Sequence, residues 1–165
     1  MTPALQQTRQ SSLPGLCPVE AAVETLARAG QDERGAIFTR REVVDFILDL
    51  VGYTPDRDLA SLRILEPSFG GGDFLLPIID RLLSANRASG PSDPAASLSH
   101  ALYAVELHHD TFESTARLTR ARLLEEGFSA SQTDTLLRAW LHRGDFLLAE
   151  LGGAFTHVVG NPPYV

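Results

Sequence analysis

Three short apolar runs constrain this chain more than any other feature: LRILEP at 62–67, ALYAVEL at 101–107 and THVVG at 156–160. Each is too short for a buried helix and each is bounded by turn residues, the pattern of strands covered on both faces. The stretches between them carry helical periodicity. Strand, crossover helix and strand in alternation predict an α/β fold on a largely parallel sheet. At 165 residues the chain has one domain's worth of length. Only three or four strands are legible, so a partial doubly wound sheet is expected, incomplete at its C-terminal end.

Residues 1–34 read as a polar leader with a short helix over 19–29. Thr39 followed by Glu42 predicts a capping box, and Val43, Val44, Phe46, Ile47, Leu50 and Val51 predict an apolar helical face ended by Gly52. Further helices are predicted over 74–86, with Pro77 in the first turn, over 110–126 on Phe112, Ala116, Leu118 and Leu123, and over 131–141. The Gly-, Pro- and Ser-rich 88–99 reads as a surface loop, and 145–148 as one more short strand.

Composition excludes several functions. Cys17 is the only cysteine, which rules out an internal disulfide and a cysteine metal cluster. His108, His109 and Asp110 lack a third ligand at metal-binding spacing, so no metal is expected. No run approaches the length of a membrane span and no secretory start is visible, so a cytoplasmic setting without membrane contact is expected. The net charge is −7, and all fourteen cationic side chains are arginine. That balance argues against this chain alone wrapping a nucleic-acid backbone, but leaves room for a pocket that receives one base.

In an open parallel sheet, ligands gather beyond the carboxyl ends of the strands. LEPSFGGGDF (65–74) meets that description. Gly70, Gly71 and Gly72 let the chain turn sharply beside a ligand, and the helix opening after Asp73 presents N–H groups to an anion. Leu75 stands where the dinucleotide fingerprint needs its last glycine, so that motif is absent. Glu66 on the same rim can meet a cationic amine. Glu106 ends the next predicted strand and can accept ribose hydroxyls, or is simply a solvated acid. In GDFLL (144–148), Asp145 can accept a purine amino group with Phe146 along the ring, or cap a helix.

GNPPYV (160–165) adds the chemistry. Asn161 stands at a strand tip, and the Pro162 carbonyl is aimed by Pro163. A planar amine has two protons to give, one to the Asn161 oxygen and one to that carbonyl. Tyr164 offers a ring on which a base can stack, worth about 1–3 kcal/mol in nucleic-acid sites. A proline-rich turn with a packing tyrosine is the plain alternative.

These motifs together resemble the S-adenosylmethionine-dependent adenine-N6 DNA methyltransferases of restriction–modification systems, in the class whose cofactor motif precedes NPPY and whose recognition domain follows both. The resemblance covers about 35–165 and rests on GAIFTRREVVDFILDLV, LEPSFGGGDFL and GDFLLAELGGAFTHVVGNPPYV. It implies a Rossmann-like methyltransferase fold, with 35–165 as the N-terminal part of the catalytic domain. It implies S-adenosyl-L-methionine as cofactor, held by Phe38, Thr39, Glu66, Pro67, Gly70, Gly72, Glu106, Asp145 and Phe146. It implies a flipped-out adenine held by Asn161, Pro162, Pro163 and Tyr164. Double-stranded DNA would be gripped by a C-terminal recognition domain outside these residues, with a restriction nuclease as cognate partner. Arg40 replaces the proline usual after the threonine, and Phe69 a residue usually small. Methylation of a protein glutamine or of RNA, and a non-catalytic binding role, are the competing readings.

Overall fold

The computed structural model describes residues 39–162. The predicted leader and the helix over 19–29 lie outside them, as do Phe38, Pro163 and Tyr164. Four strands, β1 (Ile64–Glu66), β2 (Leu102–Glu106), β3 (Leu141–Arg143) and β4 (His157–Val158), form one sheet in the order β3-β2-β1-β4. Every pairing is parallel. The helices are α1 (Arg41–Leu50), α2 (Leu75–Ser89), α3 (Pro94–Leu98), α4 (His109–Glu125) and α5 (Ala130–Trp140). This is the parallel α/β arrangement that the alternating runs predict, and it is consistent with the Rossmann-like methyltransferase fold that the resemblance implies. None of the described helices is long and apolar enough to cross a membrane.

The period of two along a strand sorts the sheet's faces. Ile64, Leu102, Ala104 and Leu141 enter one apolar core with Val44 and Leu48 of α1, Ile78, Ile79 and Leu82 of α2, Leu123 of α4, and Leu136 and Trp140 of α5. On the opposite face Tyr103 stacks on His142 with ring centroids 3.8 Å apart and meets the edge of Phe155, over which Arg63 lies. Half-burial among these rings lowers the His142 pKa below its usual value.

Several local expectations change. Helix α1 has no side-chain cap, because it starts one residue later than the predicted capping box requires and Arg40 is its N-cap. Its C-terminus closes as a Schellman motif: the Tyr53 N–H donates to Leu48 O (2.8 Å) and the Gly52 N–H to Asp49 O (3.0 Å), with Gly52 at φ +73°. Only Val44 and Leu48 of this helix are buried, while Phe46 is 64% and Leu50 74% exposed. The predicted apolar face is therefore mostly uncovered in this structure. In α4 the buried stripe is Thr115, Thr119 and Leu123, and Leu118 faces solvent.

The segment 145–148 is not a strand. Asp145 caps a single 3-10 turn, Phe146–Leu148, and the third strand lies earlier, directly after Trp140. A capping box between Ser129 and Gln132 starts α5. The loop at 88–99 contains α3, capped by Asp93.

Candidate functional site

Strands β2 and β3 follow β1 to one side, and β4 returns to the other, so the strand order reverses between β1 and β4. That switch point is where an open parallel sheet leaves a crevice beyond its carboxyl ends. Glu66 and Pro67 leave β1 there, and Gly160 and Asn161 leave β4 beside them. A Cβ on Gly160 would lie 3.4 Å from Pro67 Cδ and 3.8 Å from Glu66 Cγ, so glycine lets the two strand ends run in close contact.

Three chain segments meet at this rim. The Asp73 carboxylate accepts the Thr39 N–H at 2.6 Å, and the Asn161 side-chain N–H donates to Thr39 Oγ1 at 3.2 Å. Thr39 thereby joins the end of the glycine turn to the NPP segment. The capping box expected of Thr39 does not form, since the N-cap is Arg40, and Thr39 is tied instead to residues 34 and 122 positions away. Pro162 follows Asn161 and is exposed.

The glycine turn is held from β2. Both Glu106 oxygens accept backbone N–H groups, Oε2 from Gly70 (2.9 Å) and Oε1 from His108 (2.7 Å). Sequence reasoning gave this carboxylate to a ribose. The structure gives it a first duty as the latch of the turn, and each oxygen keeps a second lone pair. Gly70 (φ +50°) and Gly72 (φ +92°) take backbone conformations that other residues resist. Phe69, the departure from the usual small residue, is buried against Phe112 with centroids 5.7 Å apart. Its bulk enters the core and leaves the rim clear.

Glu66 is 1% exposed, and its Oε2 has no hydrogen-bond partner. Burial pushes its carboxyl well above the usual carboxylate range, and the neighbouring Asp73 and Glu106 charges push the same way. A buried acid without a partner is costly unless a donor or a cation meets it. At the rim's far side, Gly144 N–H donates to Glu106 O (3.0 Å), bringing Asp145 and Phe146 to the end of β2. Asp145 accepts the Leu147 N–H at 2.9 Å. Thr115, which no sequence pattern singled out, donates to Gly70 O at 2.8 Å. The one available signal was a threonine on the α4 stripe between Phe112 and Leu123.

The fold and its rim define a Rossmann-like α/β domain of the methyltransferase type, with its candidate site at the switch point of the sheet. Over 152 residues, 91% of this chain, the sequence is 61% identical to the Type II methyltransferase M.PaeR7I of Pseudomonas aeruginosa, covering 26% of that protein. It is 54% identical to the Type II methyltransferase M.XhoI of Xanthomonas vasicola over 81% of this chain and 25% of that protein. It is 35% identical to the Type II methyltransferase M.BstVI of Geobacillus stearothermophilus over 79% of this chain and 24% of that protein. No protein-family profile matches the chain. The chain is homologous to these Type II methyltransferases over most of its own length, and its matched residues span about a quarter of the length of these curated relatives.

Proposed function

We propose that these residues form the cofactor-binding and amine-gripping part of a DNA methyltransferase that modifies N6 of adenine within a restriction–modification system. The observation that carries this reading is the junction of Asn161, Thr39 and Asp73 at the end of the glycine turn. It sets an amine-accepting strand tip beside a turn suited to a nucleoside cofactor.

S-adenosyl-L-methionine fits the residues present. Glu66 has a buried oxygen awaiting a donor, which suits the ammonium of an amino acid. The Gly70–Gly72 backbone, Pro67, Thr39 and Phe38 are assigned to that same methionine end. Glu106 is assigned to the ribose, and Asp145 with Phe146 to the adenine ring. When bound, the cofactor supplies a methyl group already activated by its sulfonium. The residues of this chain need only hold and orient the amine.

Asn161 directs its amide N–H to Thr39, so its carbonyl is the end offered to one amine proton. The Pro162 carbonyl takes the other, with its direction set by Pro163. Two acceptors in place draw electron density onto the nitrogen and favour a pyramidal geometry with an exposed lone pair. Tyr164 supplies the stacking face. The adenine arrives flipped out of the duplex, which costs a few kcal/mol of unstacking. With a net charge of −7 this chain grips little backbone, so DNA is held by a recognition domain outside these residues. A restriction nuclease is the expected cognate partner.

The test is direct. The full-length protein is incubated with DNA and labelled S-adenosylmethionine, and the DNA is digested to nucleosides. Label in N6-methyladenine is expected. Label in methylcytosine, in RNA alone or in protein alone would overturn the reading.

A further inference from the structure

Thr115 lies in the middle of α4 and is fully buried. Its hydroxyl donates to the Gly70 carbonyl at 2.8 Å. The Gly70 N–H is meanwhile held by Glu106 Oε2 at 2.9 Å, so this one residue is gripped at both its backbone polar groups. The Thr115 methyl also supports the turn, since a Cβ on Gly72 would come within 3.2 Å of Thr115 Cγ2.

The grip on the carbonyl has a consequence one atom further on. None of the described peptide bonds is cis. In a trans peptide the C=O of one residue and the N–H of the next point in opposite directions across a single plane. With the Gly70 carbonyl turned in towards Thr115, the Gly71 N–H must point away from α4. Gly71 is exposed. A peptide between two glycines meets little steric resistance to flipping over, because neither flanking residue has a Cβ. At Gly70 a Cβ would meet nothing within 4 Å, so packing does not oppose the flip there either.

We propose that Thr115 is the positioning residue that fixes the Gly70–Gly71 peptide and thereby aims the Gly71 N–H at an acceptor atom of the bound nucleoside cofactor. Thr115 does not touch that ligand. It acts by keeping one donor pointed outward before the ligand arrives, as preorganised donors do. This inference rests on the proposed cofactor site, so its test separates the two.

The experiment uses the full-length protein as wild type, Thr115→Val and Thr115→Ser. Valine keeps the shape and removes the hydroxyl, whereas serine keeps the hydroxyl and removes the methyl. Two quantities are measured: calorimetric affinity for S-adenosylhomocysteine, and amide hydrogen exchange across 69–73 without ligand. Loss of one buried hydrogen bond that orients a donor predicts affinity about five- to tenfold weaker in Thr115→Val, with Thr115→Ser within about twofold of wild type. Exchange across 69–73 should quicken in the valine variant alone, at a melting temperature close to wild type. Equal affinity in the valine variant and wild type, equal weakening in valine and serine, or unchanged exchange in the turn would each overturn the assignment. If wild type does not bind S-adenosylhomocysteine, the methyltransferase reading fails, and the exchange comparison still decides whether Thr115 holds the peptide. Should Thr115→Val not fold, Thr115→Ala set against Thr115→Ser decides by the same outcomes.

Discussion

Replacing Glu66 with glutamine tests the electrostatics of the rim without changing its shape. Glu66 is 1% exposed, one of its oxygens has no partner, and its pKa is raised by burial and by the Asp73 and Glu106 charges. In the unfolded chain the same carboxyl titrates near its usual value of 4.5. Between that pH and the raised folded value, the native state holds a proton that the unfolded state has released. Stability is then fully present below the unfolded pKa and falls as pH rises through the window. The slope for one proton is about 1.4 kcal/mol for each pH unit inside the window. For a chain of this size that is about 3–6 °C of melting temperature per pH unit. Glutamine cannot ionise, and all other titrating groups are shared by the two proteins. The difference between their melting profiles, recorded from pH 4 upward without ligand, therefore isolates this carboxyl. The two should coincide near pH 4 and diverge as pH rises, with Glu66→Gln the more stable at high pH. Parallel profiles throughout would refute the claim that Glu66 is held protonated by its surroundings.

The two strained glycines should respond differently to alanine. Gly70→Ala meets open space and should cost only the left-handed backbone term, about 1–2 kcal/mol, whereas Gly72→Ala adds contacts at 3.1–3.2 Å with Leu76 and Thr115 and should cost more; chemical denaturation ranks them. Asn161→Ala is expected to abolish methyl transfer while sparing cofactor affinity, and Glu106→Ala to weaken the cofactor by loosening the turn it latches; equal losses of binding in both would show the roles to be misassigned. On α1, Leu48→Ala should cost about 2–5 kcal/mol because the side chain is fully buried, while Phe46→Ala, 64% exposed, should change the stability of this domain by about 0.5 kcal/mol or less.

Much of the fold could be read from local pattern because a buried parallel strand and an amphipathic helix leave signatures within ten residues of chain. LRILEP, ALYAVEL and THVVG each mark a strand, and Gly52 and Gly127 end their helices with φ +73° and +91°. Prediction failed where a neighbour distant in sequence outbid the local rule. Thr39 has the right spacing for a capping box, yet the N-cap is Arg40, and the Thr39 hydroxyl and N–H go to Asn161 and Asp73. Leu118 has the right spacing for the core, yet α4 turns Thr115 and Thr119 inward and leaves that leucine 52% exposed. The residues 145–148 are apolar enough for a strand, yet Asp145 bonds the Leu147 N–H and closes a turn.

Taken alone, the order of the residues determined which kinds of group stand at the rim. Acids end β1 and β2, three glycines come shortly after Pro67, and an asparagine follows β4, because each is set by its place in a strand or turn a few residues long. Tertiary structure alone decided what those groups do to one another. Glu106 closes on the glycine turn, Glu66 is left with an unmatched oxygen, and Thr115 reaches a carbonyl 45 residues away. Hydrogen bonds and charge repulsion act over a few ångströms of space, and only the folded sheet brings such distant segments within that range.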